Sequence, residues 1–216
     1  MGTDNLHHKR KAKKDNDLER RRAKRAPYDY VLIVCEGSKT EPHYLRELIQ
    51  HYRLNSANVE ICGDSGSSPI SVVEYAIAKQ EQATKAQNPY DRVFCVFDKD
   101  SHSTYQTARN EAKTNNLKDV VSIPCFEFWL LLHYTYTTKP YSATGNKSIC
   151  DVVINDLKTY LPDYEKNQQG LFLKTFTQLD NAIKSAKTVN ATVESQKTYN
   201  PSTYFYELVE YLRNLK

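Results

Sequence analysis

The 216-residue sequence lacks several features that would place it in a particular class of protein. It has no run of about 18 apolar residues that could cross a bilayer, and no apolar stretch follows its basic first residues as in a secretory signal. Its five cysteines stand singly, without a C-x-x-C pair. Isolated cysteines argue against a zinc or disulfide framework and favour free thiols in a reducing compartment. We therefore expect a cytoplasmic protein that does not bind a membrane.

Positive charge is distributed unevenly along the chain. Residues 1–26 contain ten Lys or Arg and four acidic residues, whereas residues 27–216 are close to neutral. The first segment has few apolar residues, so we expect a flexible basic tail. Such a tail can give salt-sensitive affinity for nucleic acid. A solubility or partner-docking arm is the alternative.

Apolar runs alternate with segments of helical spacing over much of the chain. The expected strands lie at 28–35, 58–62, 92–97 and 119–123. Because a helical pattern separates each strand from the next, we predict an α/β fold with a central parallel sheet.

The alternation of expected strands and helices ends at residue 134. We expect a buried helix at 126–133 and then three helices at 148–160, 172–189 and 202–215. The predicted organisation is a basic tail (1–26), an α/β core (27–134) and a helical extension packed on that core (135–216).

Acidic residues follow two of the expected strands. Glu36 ends the first apolar strand, and Asp98 and Asp100 end another. Ligands of open α/β sheets bind beyond the carboxyl ends of the strands, so neighbouring strands would bring these three carboxylates together. Such a cluster requires a cation, and oxygen ligands select Mg²⁺ or Mn²⁺. This set of groups is suited to phosphodiester hydrolysis.

Two further acids are expected at the same edge. Glu41 follows Glu36 by five residues, and Glu127 follows the next strand. They could hold a second metal or position the first. Glu41 has an alternative explanation, because Ser38 and Glu41 match the S-x-x-E capping box. Glu127 stands among aromatic residues and should have a cationic partner, whether metal, Lys or Arg.

Basic residues near these acids are weaker candidates. Lys99 lies between Asp98 and Asp100 and could stabilise the transition state or contact phosphate. A solvated turn lysine is the alternative. His102 and His133 could shuttle protons, although a lone histidine is more often structural.

Four ordered segments resemble the RloB family. They are VCEGSKTEPHYL (34–45), VFDKDSH (96–102), SIPCFEFWLLLH (122–133) and NPST (200–203). The resemblance implies a Toprim-like (topoisomerase-primase) Rossmannoid fold, with Glu36 as general acid/base or metal ligand. It also implies Mg²⁺ binding by Asp98 and Asp100. Similarity to OLD-type Toprim nucleases implies that Glu41 and Glu127 complete a two-metal site.

The same resemblance implies a function. It suggests a metal-dependent nuclease acting on DNA or RNA, with tRNA among the candidates, as effector of a two-component anti-phage, abortive-infection system. The expected partner is an AAA/ABC-type ATPase encoded nearby, since no G-x-x-x-x-G-K-[ST] motif is present in this chain. A non-catalytic module that binds nucleic acid, nucleotide or a partner is the alternative. Primase-like nucleotidyl transfer is disfavoured, because the sequence shows no polymerase-like domain. The oligomeric state is left open, with a homo-oligomer among the alternatives.

Overall fold

The structure is a computed structural model that describes residues 29–55, 58–99 and 103–215. The predicted basic tail of residues 1–26 lies outside these ranges, as do the candidate site residues Asp100 and His102.

A five-stranded sheet forms the centre of the molecule. Its strands are β1 (Val31–Cys35), β2 (Val59–Cys62), β3 (Arg92–Asp98), β4 (Lys118–Ile123) and β5 (Ser202–Thr203). Their order in the sheet is β2-β1-β3-β4-β5, with the first four strands parallel and β5 antiparallel to β4. The predicted α/β fold with a mostly parallel sheet is therefore confirmed. Connections leave β1 and β3 in opposite directions, which opens a crevice between their carboxyl ends.

Eight α-helices surround the sheet in the described part of the chain. They are α1 (Thr40–His51), α2 (Pro69–Lys85), α3 (Tyr105–Thr114), α4 (Glu127–Leu131), α5 (Ile149–Lys158), α6 (Leu171–Thr175), α7 (Leu179–Gln196) and α8 (Phe205–Asn214). The helix predicted at 172–189 is divided, because a 3₁₀ turn at Phe176–Gln178 separates α6 from α7. None of the helices described here is long and apolar enough to cross a membrane.

Both faces of the sheet are covered. Leu32 and Val34 pack with residues of α2 and α3, whereas Val31 and Ile33 pack with α1 and the later helices. Since successive side chains of a strand point to opposite faces, a strand covered on both sides must be apolar throughout. Covered faces leave the ends of the strands as the places where a ligand can approach.

The later helices share one core with the sheet. Phe205 of α8 lies 5.6 Å from Trp129 of α4 and 5.7 Å from Tyr44 of α1, measured between ring centroids. All three side chains are fully buried. Tyr211 of α8 also lies 5.0 Å from Phe94 of β3, so the segment after residue 134 packs on α1, α4 and the sheet through large aromatic side chains.

Strand β5 is a second link between the two halves of the chain. The predicted helix at 202–215 begins instead at Phe205, because Ser202 and Thr203 pair with β4. Asn190 of α7 donates to the carbonyl of Thr203 and accepts from its amide, at 3.0 and 3.1 Å. This side chain satisfies the edge of a strand that is too short to be seen in a sequence pattern.

Candidate metal centre at the carboxyl edge of the sheet

Glu36 and Asp98 come together because β1 and β3 are neighbouring parallel strands. The amide of Glu36 donates to the carbonyl of Val96 at 2.9 Å, which extends the ladder by one residue. The amide of Asp98 in turn donates to Oε2 of Glu36 at 3.2 Å. The carboxylate of Glu36 is thereby held against the end of β3.

A pocket of about 240 Å³ opens at this point. Four of the predicted site residues line it: Glu36, Glu41, Asp98 and Glu127. They come from three stretches of sequence, with Glu41 in the first turn of α1 and Glu127 at the start of α4. The other lining residues are Thr40, Cys125, Phe126, Cys150, Lys166 and Asn167.

Two of the carboxyl groups, Glu41 and Asp98, have raised pKa values. Burial raises the pKa of Glu41 to about 8, and the charges of Glu127 and Glu36 add to the effect. Burial likewise raises the pKa of Asp98 well above its usual range, with further contributions from Glu41 and Glu127. A bound cation would reverse this balance, because it favours the ionised form of every carboxyl group around it.

Glu127 is buried, with 5% of its surface exposed. The group that donates a hydrogen bond to it is a hydroxyl rather than a cation. Oε1 of Glu127 accepts a hydrogen bond of 2.8 Å from the hydroxyl of Tyr164. Burial and the charge of Glu127 raise the pKa of Tyr164, so this hydroxyl remains a donor at neutral pH. The hydroxyl of Tyr164 therefore holds Oε1 of Glu127, a residue that lines the pocket.

The capping-box explanation of Glu41 is wrong for this structure. Helix α1 begins at Thr40 with Lys39 as its N-cap residue, and no side-chain hydrogen bond caps it. Ser38 therefore does not engage Glu41 as a reciprocal cap. The side chain of Glu41 lines the pocket instead.

The donor set fits a hard divalent cation in its chemistry, since all four acidic residues offer oxygen atoms. Within residues 29–55, 58–99 and 103–215, however, no group of three or more His, Cys, Asp or Glu side chains is arranged to hold a metal ion. Asp100 lies outside these ranges. Mg²⁺ commonly takes only one or two protein carboxylates and completes its shell with water and substrate phosphate. The residues present are compatible with that kind of ligation.

The family model described as RloB-like protein matches residues 31–212. The chain belongs to the RloB family. The match runs from β1 into α8 and includes every residue that lines the pocket. No curated protein and no solved structure matches the chain.

A close contact between two turns shapes the RloB-family pocket beside Glu36. Gly37 has a φ of +84°, and a Cβ atom on Gly63 would lie 2.6 Å from the carbonyl oxygen of Gly37. Ser65 donates to the carbonyl of Cys35 at 2.9 Å. Glycine is required at the first position by its left-handed backbone and at the second by lack of space. These contacts fix the turn that carries Glu36.

Two basic candidates do not reach the pocket of this RloB-family chain. Lys99 is exposed, and its Nζ lies 5.5 Å from the ring centroid of Tyr105. His133 is buried elsewhere, where its Nδ1 lies 3.0 Å from the carbonyl of Trp129 and its Nε2 lies 3.4 Å from the hydroxyl of Tyr44. Both ring nitrogens have a partner, as expected of a structural histidine.

Sequence reasoning missed the segment between α5 and α6, which contributes Lys166 and Asn167 to the pocket and places Tyr164 against Glu127. Tyr164 meets Glu127 across 37 positions of sequence, and Asn167 meets Thr40 across 127. A signal was present in the prediction that buried Glu127 should have a cationic partner, although the hydrogen-bond donor that the structure places there is a hydroxyl group. Nothing in the local pattern indicates that the partner would be Tyr164.

Proposed function

We propose that the acidic pocket is the active site of a Mg²⁺- or Mn²⁺-dependent nuclease that hydrolyses phosphodiester bonds in DNA or RNA, with tRNA among the candidate substrates. The observation that carries this proposal is the convergence of four carboxyl groups from three separate segments in one pocket. Family membership supports it. The residues that would hold the metal are Glu36, Glu41, Asp98, Asp100 and Glu127.

When bound, the metal supplies a water of lowered pKa and neutralises charge on the phosphate. The protein itself supplies the geometry. The amide of Asp98 holds Oε2 of Glu36, and the hydroxyl of Tyr164 holds Oε1 of Glu127. These bonds preset the orientation of two acidic side chains before any ligand arrives. Phe126 borders the same pocket and shields one side of it from water.

The test compares wild-type protein with Asp98→Asn and Glu36→Gln, incubated with Mg²⁺ or Mn²⁺ on plasmid, single-stranded DNA and total tRNA. We expect each variant to lose cleavage by about 100-fold or more, because a charged group that offsets the metal has been removed. Each reaction is repeated with the ATPase encoded nearby.

The matched control for these variants is Asp180→Asn. Asp180 is an exposed acid that pairs with Arg213 at 2.7 Å, away from the pocket. The Asp180→Asn variant should cleave at the wild-type rate. Full activity of both pocket variants would refute the nuclease proposal.

A non-catalytic binding module is the second candidate. The observation in its favour is that the described residues contain no complete group of metal ligands. It predicts that nucleic acid or nucleotide binds equally well to wild-type protein and to Asp98→Asn, with no cleavage and no heat of metal binding.

Further proposals concern the surroundings of the protein. We propose that it acts in the cytoplasm as the effector of a defence system with an AAA/ABC-type ATPase, and that residues 1–26 contribute affinity for nucleic acid. The ten basic residues of that segment support the last point. Co-purification with an AAA/ABC-type ATPase tests the proposed partnership.

A further inference from the structure

A connecting segment covers one side of the acidic pocket. This segment, the strap, consists of residues 161–170 and lies between α5 and α6. Tyr164 holds it to Glu127 of α4, and the amide of Asn167 donates to Oγ1 of Thr40 in α1 at 3.2 Å. The strap is therefore attached to two of the elements that carry the carboxyl groups.

Glu47 of α1 fixes the end of the strap. Its two carboxylate oxygens accept hydrogen bonds from the amides of Gly170 and Phe172, the second at 3.0 Å. Charge-assisted bonds of this kind are stronger than neutral ones, so the strap has a defined position relative to α1. The end of the strap is therefore fixed to the helix that carries Glu41.

Lys166 lies on the strap and lines the pocket. It is the one basic side chain among the described residues that line it. Its Nζ forms no hydrogen bond or ion pair with the described residues. Other lysines behave differently, for Lys79 and Lys187 form ion pairs of 2.9 and 2.7 Å with glutamates. Lys166 is thus near several carboxylates, among them Glu41 and Glu127, without a direct ion pair to any described one.

The surroundings keep Lys166 protonated. Partial burial lowers its pKa, but the negative charges around it, that of Glu127 first, together raise it, so the net pKa lies above the ordinary value. A structural counter-ion would sit in contact with a carboxylate, and a solvated loop lysine would not line a pocket. The position of Lys166 matches neither description and leaves its charge available for an anionic ligand.

We propose that Lys166 is a catalytic residue of this pocket, contacting a non-bridging oxygen of the substrate's phosphate while Tyr164 keeps the strap on Glu127. The proposal rests on the proposed nuclease function. Lys166 acts by charge alone: it donates a hydrogen bond to an oxygen whose negative charge grows in the transition state, and no proton is transferred. The strap thereby brings a substrate-contacting group from outside the sheet to the acids at its edge.

The first test compares cleavage by Lys166→Met, Lys166→Arg and wild-type protein. Lys166→Met should reduce kcat/KM by about 100-fold, as does removal of a single transition-state donor in other enzymes. Lys166→Arg should recover part of the loss, since it keeps the charge. Lys147→Met is the matched control, because Lys147 is an exposed lysine near Asp151 that does not line the pocket. Wild-type cleavage by Lys166→Met would overturn the proposal.

A second test separates Lys166 from the metal ligands. Mn²⁺ binding, followed by electron paramagnetic resonance, should be unchanged or tighter in Lys166→Met. Tyr164→Phe should bind Mn²⁺ about tenfold more weakly, because Glu127 loses the hydrogen bond that orients it. Weaker Mn²⁺ binding by Lys166→Met would place Lys166 among the groups that shape the metal site and would contradict a role on the phosphate.

A third test distinguishes failure of this proposal from failure of the nuclease function. If wild-type protein cleaves none of the substrates, the nuclease function fails, and Lys166 is then tested by binding. The probes are fluorescein-labelled 12-nucleotide DNA and RNA strands in Ca²⁺. A roughly tenfold weaker affinity of Lys166→Met than of Lys147→Met supports phosphate contact by Lys166. Equal affinities refute it, and thermal unfolding of each variant verifies that it is folded.

Discussion

Glu127 and His133 are two buried ionisable residues, six positions apart, with opposite surroundings. His133 has a partner at each ring nitrogen, and its ring lies 4.9 Å from that of the buried Trp129. Glu127 accepts a hydrogen bond from Tyr164 at its Oε1 atom and lines a pocket beside three other acids. Both satisfy the rule that buried polar groups are hydrogen-bonded. Each residue also borders a pocket, but the pocket beside Glu127 is lined by three further acids, whereas no acidic residue among the described ones lines the pocket beside His133.

The largest expected effect separates these two residues by function. Glu127→Gln should lower metal-dependent cleavage by about 100-fold, because it removes a charge that would face the metal. The amide can still accept from Tyr164, so the variant should unfold at or above the wild-type temperature. Cleavage rates and thermal unfolding measured on one preparation check both statements. A variant that is unstable but fully active would assign Glu127 to the core with His133.

The acids at the strand ends could be predicted from the sequence because their positions follow from the order of strands. Glu36 and Asp98 each end an apolar run, and a parallel sheet brings such ends together. Tyr164 and Lys166 could not be predicted in the same way. They lie on a segment without strand or helix pattern, and only the packing of α5 and α6 brings it to the pocket.

The fold shows the same division. Strands β1 and β3 have continuous buried runs and were recognisable, whereas β5 has two residues and is stabilised by Asn190 from another helix. Helix α4 was expected because all of its residues are apolar except Glu127, and all of them are buried. A short strand such as β5 depends on long-range hydrogen bonds, which local periodicity does not reveal.

The second prediction concerns His133. Burial lowers the pKa of His133 to about 4. The unfolded chain binds a proton at this residue below its ordinary pKa, whereas the folded chain does not. Stability from neutral His133 is therefore present above pH 6.5 and is lost as the pH falls towards 4, by about 3 kcal/mol in total.

His133→Gln isolates that contribution. Its free energy of unfolding, measured with urea, should fall by about 3 kcal/mol less than that of wild-type protein between pH 6.5 and 4. The raised pKa values of Glu41 and Asp98 act in the opposite direction, but they are common to both proteins and cancel in the difference. Identical pH profiles would show that His133 is protonated in the fold or is not closed off from water.

The smallest expected effect decides between the two interpretations of Glu41. Ser148 caps α5, where its Oγ accepts from the amide of Asp151 at 3.1 Å, so Ser148→Ala should cost about 1 kcal/mol. Ser38→Ala should change the free energy of unfolding by less than about 0.5 kcal/mol, because α1 has no side-chain cap. Urea unfolding at neutral pH measures both. Equal losses in the two variants would mean that Ser38 and Glu41 cap α1 in solution, and the capping box rather than the acidic pocket would then explain Glu41.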